Sequence, residues 1–228
     1  TQTSCRIQMT AVPIKFRNLN EKNIISYDYT DISTGAGIVK FYCGIGQLTG
    51  GKFYTLDRSI LRTSVLTEGG TVNNQVDFEK GIDVDFDTGV FNLPQRVRGT
   101  VNTGMTWSLV GGGGAVTFQG YVIVKLVHVD AASAETILAT MQSDTLTSGT
   151  STTPTTDFMQ ATVVEKLVKV GEKLRVTAEV WWFQSGGTSQ GAVPATLYVD
   201  PLNAVSADTL AVAGKSQFFV DIPFRIDL

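Results

Sequence analysis

Apolar side chains alternate with polar ones along much of the chain, and this period-two pattern predicts β-strands. The clearest case is residues 218–228, where one face would carry Phe218, Val220, Ile222, Phe224, Ile226 and Leu228. Because successive side chains of a strand point to opposite faces, this segment is expected to be a half-buried strand. Pro223 cannot donate a hydrogen bond to a neighbouring strand, so the strand is expected to lie at a sheet edge or to carry a bulge there.

Two further segments show distinct patterns. Residues 121–129 are apolar on both faces except at Lys125 and His128, which predicts a strand covered on both sides. Residues 174–183 are apolar on one face at first and aromatic on both faces at the end. Residues 131–142 could form a helix or a strand. The remaining strands are predicted at 5–12, 24–32, 37–45, 82–91, 95–101, 104–110, 115–120, 158–168 and 195–200.

Glycine-rich and Ser/Thr-rich segments separate these strands. The four glycines at 111–114 predict a turn, and Gly171-Glu172-Lys173 predicts a tight hairpin that joins 158–170 to 174–183. Residues 143–157 and 184–193 are predicted to be loops. Many short strands with regular turns indicate an all-β, antiparallel β-sandwich or barrel.

The glycines after Glu68 place a domain boundary near residues 68–80. Residues 81–228 would then hold about eight strands, which is the number in a single jelly roll. Residues 1–70 would form an N-terminal β-rich arm or small subdomain.

The composition supports a β-rich chain and narrows the choice of partners. The 228 residues include 29 Thr and 26 Val, which are β-branched and favour strands. Charged residues make up only 17%, below the usual quarter, which suggests surface buried against a partner such as a second copy. A net charge of −3 argues against nucleic-acid binding. No apolar run is long enough to span a membrane, and the first residues do not resemble a signal peptide, so synthesis in a cytoplasm is expected.

Few residues suggest chemistry. Asp83, Asp85 and Asp87 alternate with apolar residues, so three carboxylates share one strand face. They form a weak Ca²⁺ candidate, because a flat strand cannot wrap a cation alone, and a solvated sheet face is favoured. A glycosidase carboxylate pair is a further alternative, which would require a cleft. Cys5 and Cys43 could pair, although two buried free thiols are favoured.

The single histidine, His128, is expected to be packed and hydrogen-bonded rather than catalytic. Aromatic residues are the remaining candidates for recognition. Trp107, Trp181, Trp182 and Phe183 could form a carbohydrate platform, but core or subunit interface is favoured for them. The candidates for an interface are Trp181, Phe183 and Phe219. We expect no catalytic residue, no cofactor and no metal site apart from the aspartate row.

Three segments in order carry a resemblance to a known family: 171–176 (Gly-Glu-Lys-Leu-Arg-Val), 197–201 (Leu-Tyr-Val-Asp-Pro) and 221–226 (Asp-Ile-Pro-Phe-Arg-Ile). Together they resemble the end of the single jelly roll of tailed-bacteriophage virion proteins of the capsid decoration and head-fibre type. The resemblance implies a non-enzymatic homotrimer that is made in the host cytoplasm and docks on the major capsid protein or another virion component. The alternatives are a receptor- or glycan-binding module of a fibre or tail and, ranked last, a β-sandwich carbohydrate-active enzyme.

Overall fold

The computed structural model describes residues 36–59, 65–72, 77–109, 117–148, 154–185, 193–200 and 217–225. These residues form twelve strands and no helix, so the predicted all-β class is confirmed for them. The strands are β1 Ala36–Leu48, β2 Gly51–Asp57, β3 Thr67–Val72, β4 Glu79–Asp87, β5 Gln95–Leu109, β6 Thr117–Val129, β7 Glu135–Gln142, β8 Leu146–Ser148, β9 Thr155–Val168, β10 Lys173–Ser185, β11 Val193–Tyr198 and β12 Phe218–Arg225. The predicted strands at 5–12 and 24–32, the glycine turn at 111–114 and Cys5 lie outside the described residues.

All twelve strands belong to one mixed sheet. The order of the strands is β3-β11-β5-β12-β1-β2-β4-β10-β6-β7. In addition, β9 pairs with the edge of β5 that lies opposite β12, and β8 pairs with β6. The pairs are antiparallel except for one parallel link between Thr55 of β2 and Asp87 of β4. Strands from both predicted units lie in this sheet, since β1 pairs with β12 and β3 pairs with β11. The division into two units and the jelly roll stay predictions.

Several predicted strands are longer in the structure. The segments 95–101 and 104–110 form one strand, β5, because β9 and β12 pair with it on opposite edges across Asn102 and Gly104. The segments 115–120 and 121–129 likewise form the single strand β6. The ambiguous segment 131–142 is a strand from Glu135 onward. The predicted loops are shorter than expected, because β8 lies within 143–157 and β10 continues to Ser185.

The predicted hairpin around Gly171 is wrong. A tight turn is present, with φ of 84° at Gly171 and the Glu172 N–H donating to the Lys169 carbonyl at 3.2 Å. The strands on either side of the turn, however, pair with different partners. β9 pairs with β5, whereas β10 lies between β4 and β6. The turn therefore joins two strands that lie in different parts of the sheet order.

The strand that contains Pro223 is central rather than at an edge. β12 pairs with β1 on one side and with β5 on the other. Its register with β5 shifts between Asp221 and Phe224, which confirms the predicted bulge and corrects the edge alternative. The bulge accommodates a residue that has no N–H to donate.

The core is aromatic and contains contacts between strands that are not neighbours. The ring centroids of Phe86 on β4 and Phe218 on β12 are 5.4 Å apart, although β1 and β2 lie between these strands in the sheet order. Trp107 and Trp182 are the largest fully buried side chains of the described residues. Cys43 is buried as a free thiol, and burial raises the pKa of its sulfur well above the ordinary value. It therefore behaves as a small apolar side chain.

The prediction that 121–129 is covered on both sides holds only for its end. In the first half of this segment Val122 and Val124 are buried, while Tyr121 and Ile123 are partly exposed. From Leu126 onward the strand is buried on both faces. None of the described residues belongs to a helix that could span a membrane.

Candidate functional site

The aspartate row of β4 is ion-paired along the sheet. Nε and Nη2 of Arg175 donate to the two oxygens of Asp87 at 2.7 and 2.9 Å, and Nη1 donates to Asp85 at 3.0 Å. Lys80 pairs with Asp83 at 2.5 Å. Burial by itself would raise the pKa of Asp87, but the hydrogen bonds from Arg175 and Lys173 outweigh it and lower that pKa.

This row therefore faces a line of fixed cations rather than an open ligand position. Across the described part of the chain, no three His, Cys, Asp or Glu side chains are grouped so that they could hold a metal ion. Asp85 and Asp87 instead join β4 to β10, whose Thr177 hydroxyl also donates to Asp85 at 2.6 Å, whereas Asp83 pairs with Lys80 of its own strand. The solvated sheet face that the sequence favoured is thus an ion-paired face.

His128 is packed and hydrogen-bonded, as predicted. The residue is 2% exposed, and its Nε2 lies 2.7 Å from Oε2 of Glu172, which is also buried. Because a carboxylate only accepts hydrogen bonds, Nε2 carries the proton and donates it. The same carboxylate oxygen accepts the Lys169 N–H at 2.7 Å, so this pair ties the β9–β10 turn to the end of β6. Nδ1 of His128 has no hydrogen-bond partner within the described residues.

The predicted aromatic candidates occupy three different environments. Trp182 and Trp107 are fully buried, and the Trp107 indole N–H donates to Asp157 at 2.6 Å. Trp181 and Phe183 are partly exposed on one face of β10. They belong to a cluster of four rings, in which neighbouring centroids are 4.7 to 6.4 Å apart: Phe78, Tyr121, Trp181 and Phe183. Their predicted role as an interface stays a prediction.

Phe219, the third interface candidate, lies in a groove across the face of β12, β5 and β9. It is almost fully buried, with the Lys40 ammonium 3.7 Å from its ring centroid. Its neighbour across the strands is Gly104, which in turn pairs with Phe158 of β9. Since Gly104 has no side chain, the two phenylalanine rings lie over it with their centroids 6.4 Å apart. A Cβ at this position would lie 2.6 Å from the Phe219 ring.

A polar row runs beside these rings. The strand pairing places Asp221, Asn102 and Gln160 side by side on β12, β5 and β9, and Lys40 of β1 continues the row. The groove has a volume of about 330 Å³, near the lower end of ligand-site sizes. We call it the sheet groove, and the residues that line it are Asn102, Thr103, Phe158, Met159, Gln160, Phe219 and Asp221.

The charges of the sheet groove balance. The Asp221 carboxylate is 20% exposed, and the Lys40 ammonium lies 3.5 Å from its Oδ1. That oxygen is buried and accepts no hydrogen bond from the described residues. Of the lining residues, only Phe219 was a sequence candidate. Alternation along each strand shows that Phe158 shares a face with Gln160, and Phe219 with Asp221, but not that these two faces lie side by side.

No family model matches the chain, and no curated protein matches it. Among solved structures, an α-amino acid ester hydrolase matches with a TM-score of 0.53 and 11% identity, over 82% of this chain and 36% of that one. An aminopeptidase from the marine sediment archaeon Thaumarchaeota archaeon matches with a TM-score of 0.50 and 9% identity, over 84% of this chain and 37% of that one. A CocE/NonD family hydrolase from Staphylococcus aureus matches with a TM-score of 0.48 and 12% identity, over 83% and 37%.

These matches correct the prediction of a non-enzymatic capsid decoration protein. The two structures that match with TM-scores of 0.53 and 0.50 are an ester hydrolase and an aminopeptidase, and neither is a decoration protein or a fibre or tail module. The predicted trimer, capsid partner and virion location stay predictions. At 9 to 12% identity the likeness shows the fold alone. The chain spans little more than a third of the hydrolases that it resembles, and its fold is similar to that third.

Proposed function

We propose that the chain is a β-domain of a hydrolase that cleaves ester or amide bonds, and that the reacting groups lie on another part of that hydrolase. The proposal takes the bond class from the names of the two structures with the higher TM-scores, an ester hydrolase and an aminopeptidase. It assigns the reacting groups to another part of the hydrolase because about two thirds of each of those chains has no counterpart here.

The observation that carries the proposal is the position of the single histidine. Many ester and amide hydrolases use a histidine as general base, which must come within hydrogen-bond reach of the nucleophile. His128 is buried, and its protonated nitrogen is already bound to Glu172. The described residues also hold no metal-binding cluster that could activate water instead. A histidine base or a metal would therefore come from outside this part of the chain.

Contacts across the core support a two-layer arrangement for this domain. Phe86 of β4 touches Phe218 of β12, and Tyr54 of β2 also packs against Phe86, with ring centroids 5.6 Å apart. Rings on strands that are not neighbours in the sheet meet when the sheet folds back on itself. We therefore infer a sandwich, in which the parallel link at Thr55 and Asp87 lies where the sheet turns over.

The test is an assay of the chain with and without its cellular partners. The purified chain and its His128→Gln variant are assayed on p-nitrophenyl acetate and on leucine p-nitroanilide, and both should show only background hydrolysis. The tagged chain is then expressed in the producing organism, purified, and treated with a fluorophosphonate probe for active serines. We expect hydrolysis in that fraction, with the label on a separate polypeptide or on a longer form of this one.

Two results would overturn the proposal. One is hydrolysis by the purified chain that His128→Gln abolishes while thermal unfolding shows an intact fold, because the chain would then hold the reacting groups. The other is the absence of ester and amide hydrolysis from the tagged fraction when compared with the tag alone.

A further inference from the structure

We propose that the sheet groove binds a saccharide by stacking a pyranose ring on Phe158 and by hydrogen bonds from its hydroxyls to the polar row. This inference goes beyond the proposed hydrolase role and does not depend on it. It assigns a ligand class to a site lined by three strands, β12, β5 and β9, beside Lys40 of β1.

The first argument is the exposure of Phe158. This side chain is 72% exposed, although it lies beside a buried phenylalanine on the same face of the sheet. Its position is set by Gly104, which leaves room for the ring to lean over β5. A flat apolar ring open to solvent on a rigid sheet is a surface on which the C–H face of a sugar ring can stack.

The second argument is the polar row beside that ring. The side chains of Asn102 and Gln160 make no hydrogen bond to other described residues, and the Asp221 carboxylate has Lys40 as its ionic partner there. Neighbouring strands are about 4.8 Å apart, so the two amides and the carboxylate form a line of hydrogen-bond donors and acceptors at that spacing. Amides both donate and accept, and the carboxylate accepts, which together suit hydroxyl groups.

The third argument concerns what the groove lacks. Strands β12 and β5 are each paired on both edges, and among the described strands β9 pairs only with β5, so an extended peptide could add a strand at the outer edge of β9 but within the groove could be held only through side chains. The charges of Lys40 and Asp221 balance, which gives no preference for a charged ligand. The lining contains one carboxylate, whereas glycoside hydrolysis uses two. Binding of a neutral, hydroxyl-rich ring without cleavage fits all three features.

The test is NMR titration of the full chain with cellohexaose, mannohexaose and chitohexaose, each up to about 10 mM. The side-chain NH₂ signals of Asn102 and Gln160 should shift saturably with at least one of these sugars. Phe158→Ala should weaken that binding about tenfold, which is the effect of losing one aromatic contact. The matched control is Val164→Ala, which also truncates an exposed apolar residue of β9, 66% exposed, but lies outside the groove.

Because Phe158 and Val164 are both exposed, both variants are expected to fold, and their thermal unfolding confirms it. The proposal is overturned if none of the three sugars shifts the two NH₂ signals. It is also overturned if the tripeptide Ala-Phe-Ala shifts them and the sugars do not, or if Val164→Ala weakens binding as much as Phe158→Ala. The hydrolase assays use neither the groove nor these sugars, so the two proposals fail separately.

Discussion

Replacing Glu172 with alanine should destabilise the protein by removing the acceptor of two hydrogen bonds. Oε2 of Glu172 accepts from His128 Nε2 and from the Lys169 N–H, each at 2.7 Å. A buried donor that loses its partner costs about 1–3 kcal/mol. The His128 N–H cannot reach water, whereas the Lys169 N–H lies in an exposed turn and can. We therefore expect Glu172→Ala to lower the free energy of unfolding by about 2–4 kcal/mol.

The turn itself should stay in place in this variant. The Phe91 N–H donates to the Glu172 carbonyl at 2.8 Å, and the Gly171 N–H donates to the Phe91 carbonyl at 2.9 Å. These backbone bonds do not involve the carboxylate. The loss should therefore report the two side-chain hydrogen bonds rather than local unfolding. Urea denaturation with linear extrapolation measures it, and an unchanged m-value would show that the denatured state is the same.

A double-mutant cycle isolates the contact with the ring. The cycle combines Glu172→Ala with His128→Leu, and we expect a coupling energy of about 1–2 kcal/mol, because the second change removes the donor that the first leaves unpaired. The reasoning is refuted if Glu172→Ala costs less than about 0.5 kcal/mol or if the two losses simply add.

The Glu172 carboxylate should also make the free energy of unfolding depend on pH. The hydrogen bond from the Lys169 backbone, followed by the one from His128, lowers the pKa of Glu172 below its ordinary 4.5. The folded state then binds this proton more weakly than the unfolded state. The contribution of the ionised Glu172 to the free energy of unfolding is therefore complete above about pH 4.5, and it is lost as the pH falls through the pKa of Glu172 in the folded state. Glu172→Gln has no such proton, so its difference in stability from the wild type should shrink in that range.

Two other substitutions test the ion-paired face and the buried indole. Arg175→Met leaves Asp85 and Asp87 on one strand without their shared cation. Thermal unfolding should therefore show that the free energy of unfolding falls by about 1–2 kcal/mol and that added salt reduces this loss. A loss that is independent of salt would contradict the electrostatic account. Trp107→Phe removes the indole N–H that donates to Asp157 and some buried volume, so urea denaturation should show a loss of about 1–3 kcal/mol. If Trp107→Phe has the stability of the wild type, that hydrogen bond contributes nothing.

The alternation of side chains predicted where many strands lie because it depends on local geometry, but β12, which was expected to be half-buried, is buried on both faces except at Asp221 and Arg225. The buried and exposed positions of β4 follow it residue by residue, and Pro223 marks a bulge for the simple reason that proline has no N–H. The isolation of His128 in an apolar strand likewise indicated a buried, hydrogen-bonded side chain, which the structure confirms. These features depend on the properties of one segment at a time.

The partners of each strand could not be predicted in the same way. The turn at Gly171 has the sequence of a hairpin, yet β9 and β10 bond to different strands, because pairing is decided by the partners that cover each apolar face. The sheet groove shows the same difficulty. Lys40, Asn102, Gln160 and Asp221 are far apart in the sequence, and only the register of four strands brings them into one row.

The central place of β12 has a consequence for the protein during its synthesis. β12 supplies the hydrogen bonds for one edge of β1 and one edge of β5, and both of these strands are made more than a hundred residues earlier. At about 5–20 residues per second, a ribosome needs on the order of ten seconds to reach residue 225 after residue 109. Throughout that interval two strand edges of the nascent polypeptide remain open to pairing with a neighbouring chain on the same polysome. Chaperones that shield such edges should therefore raise the yield of correctly assembled protein.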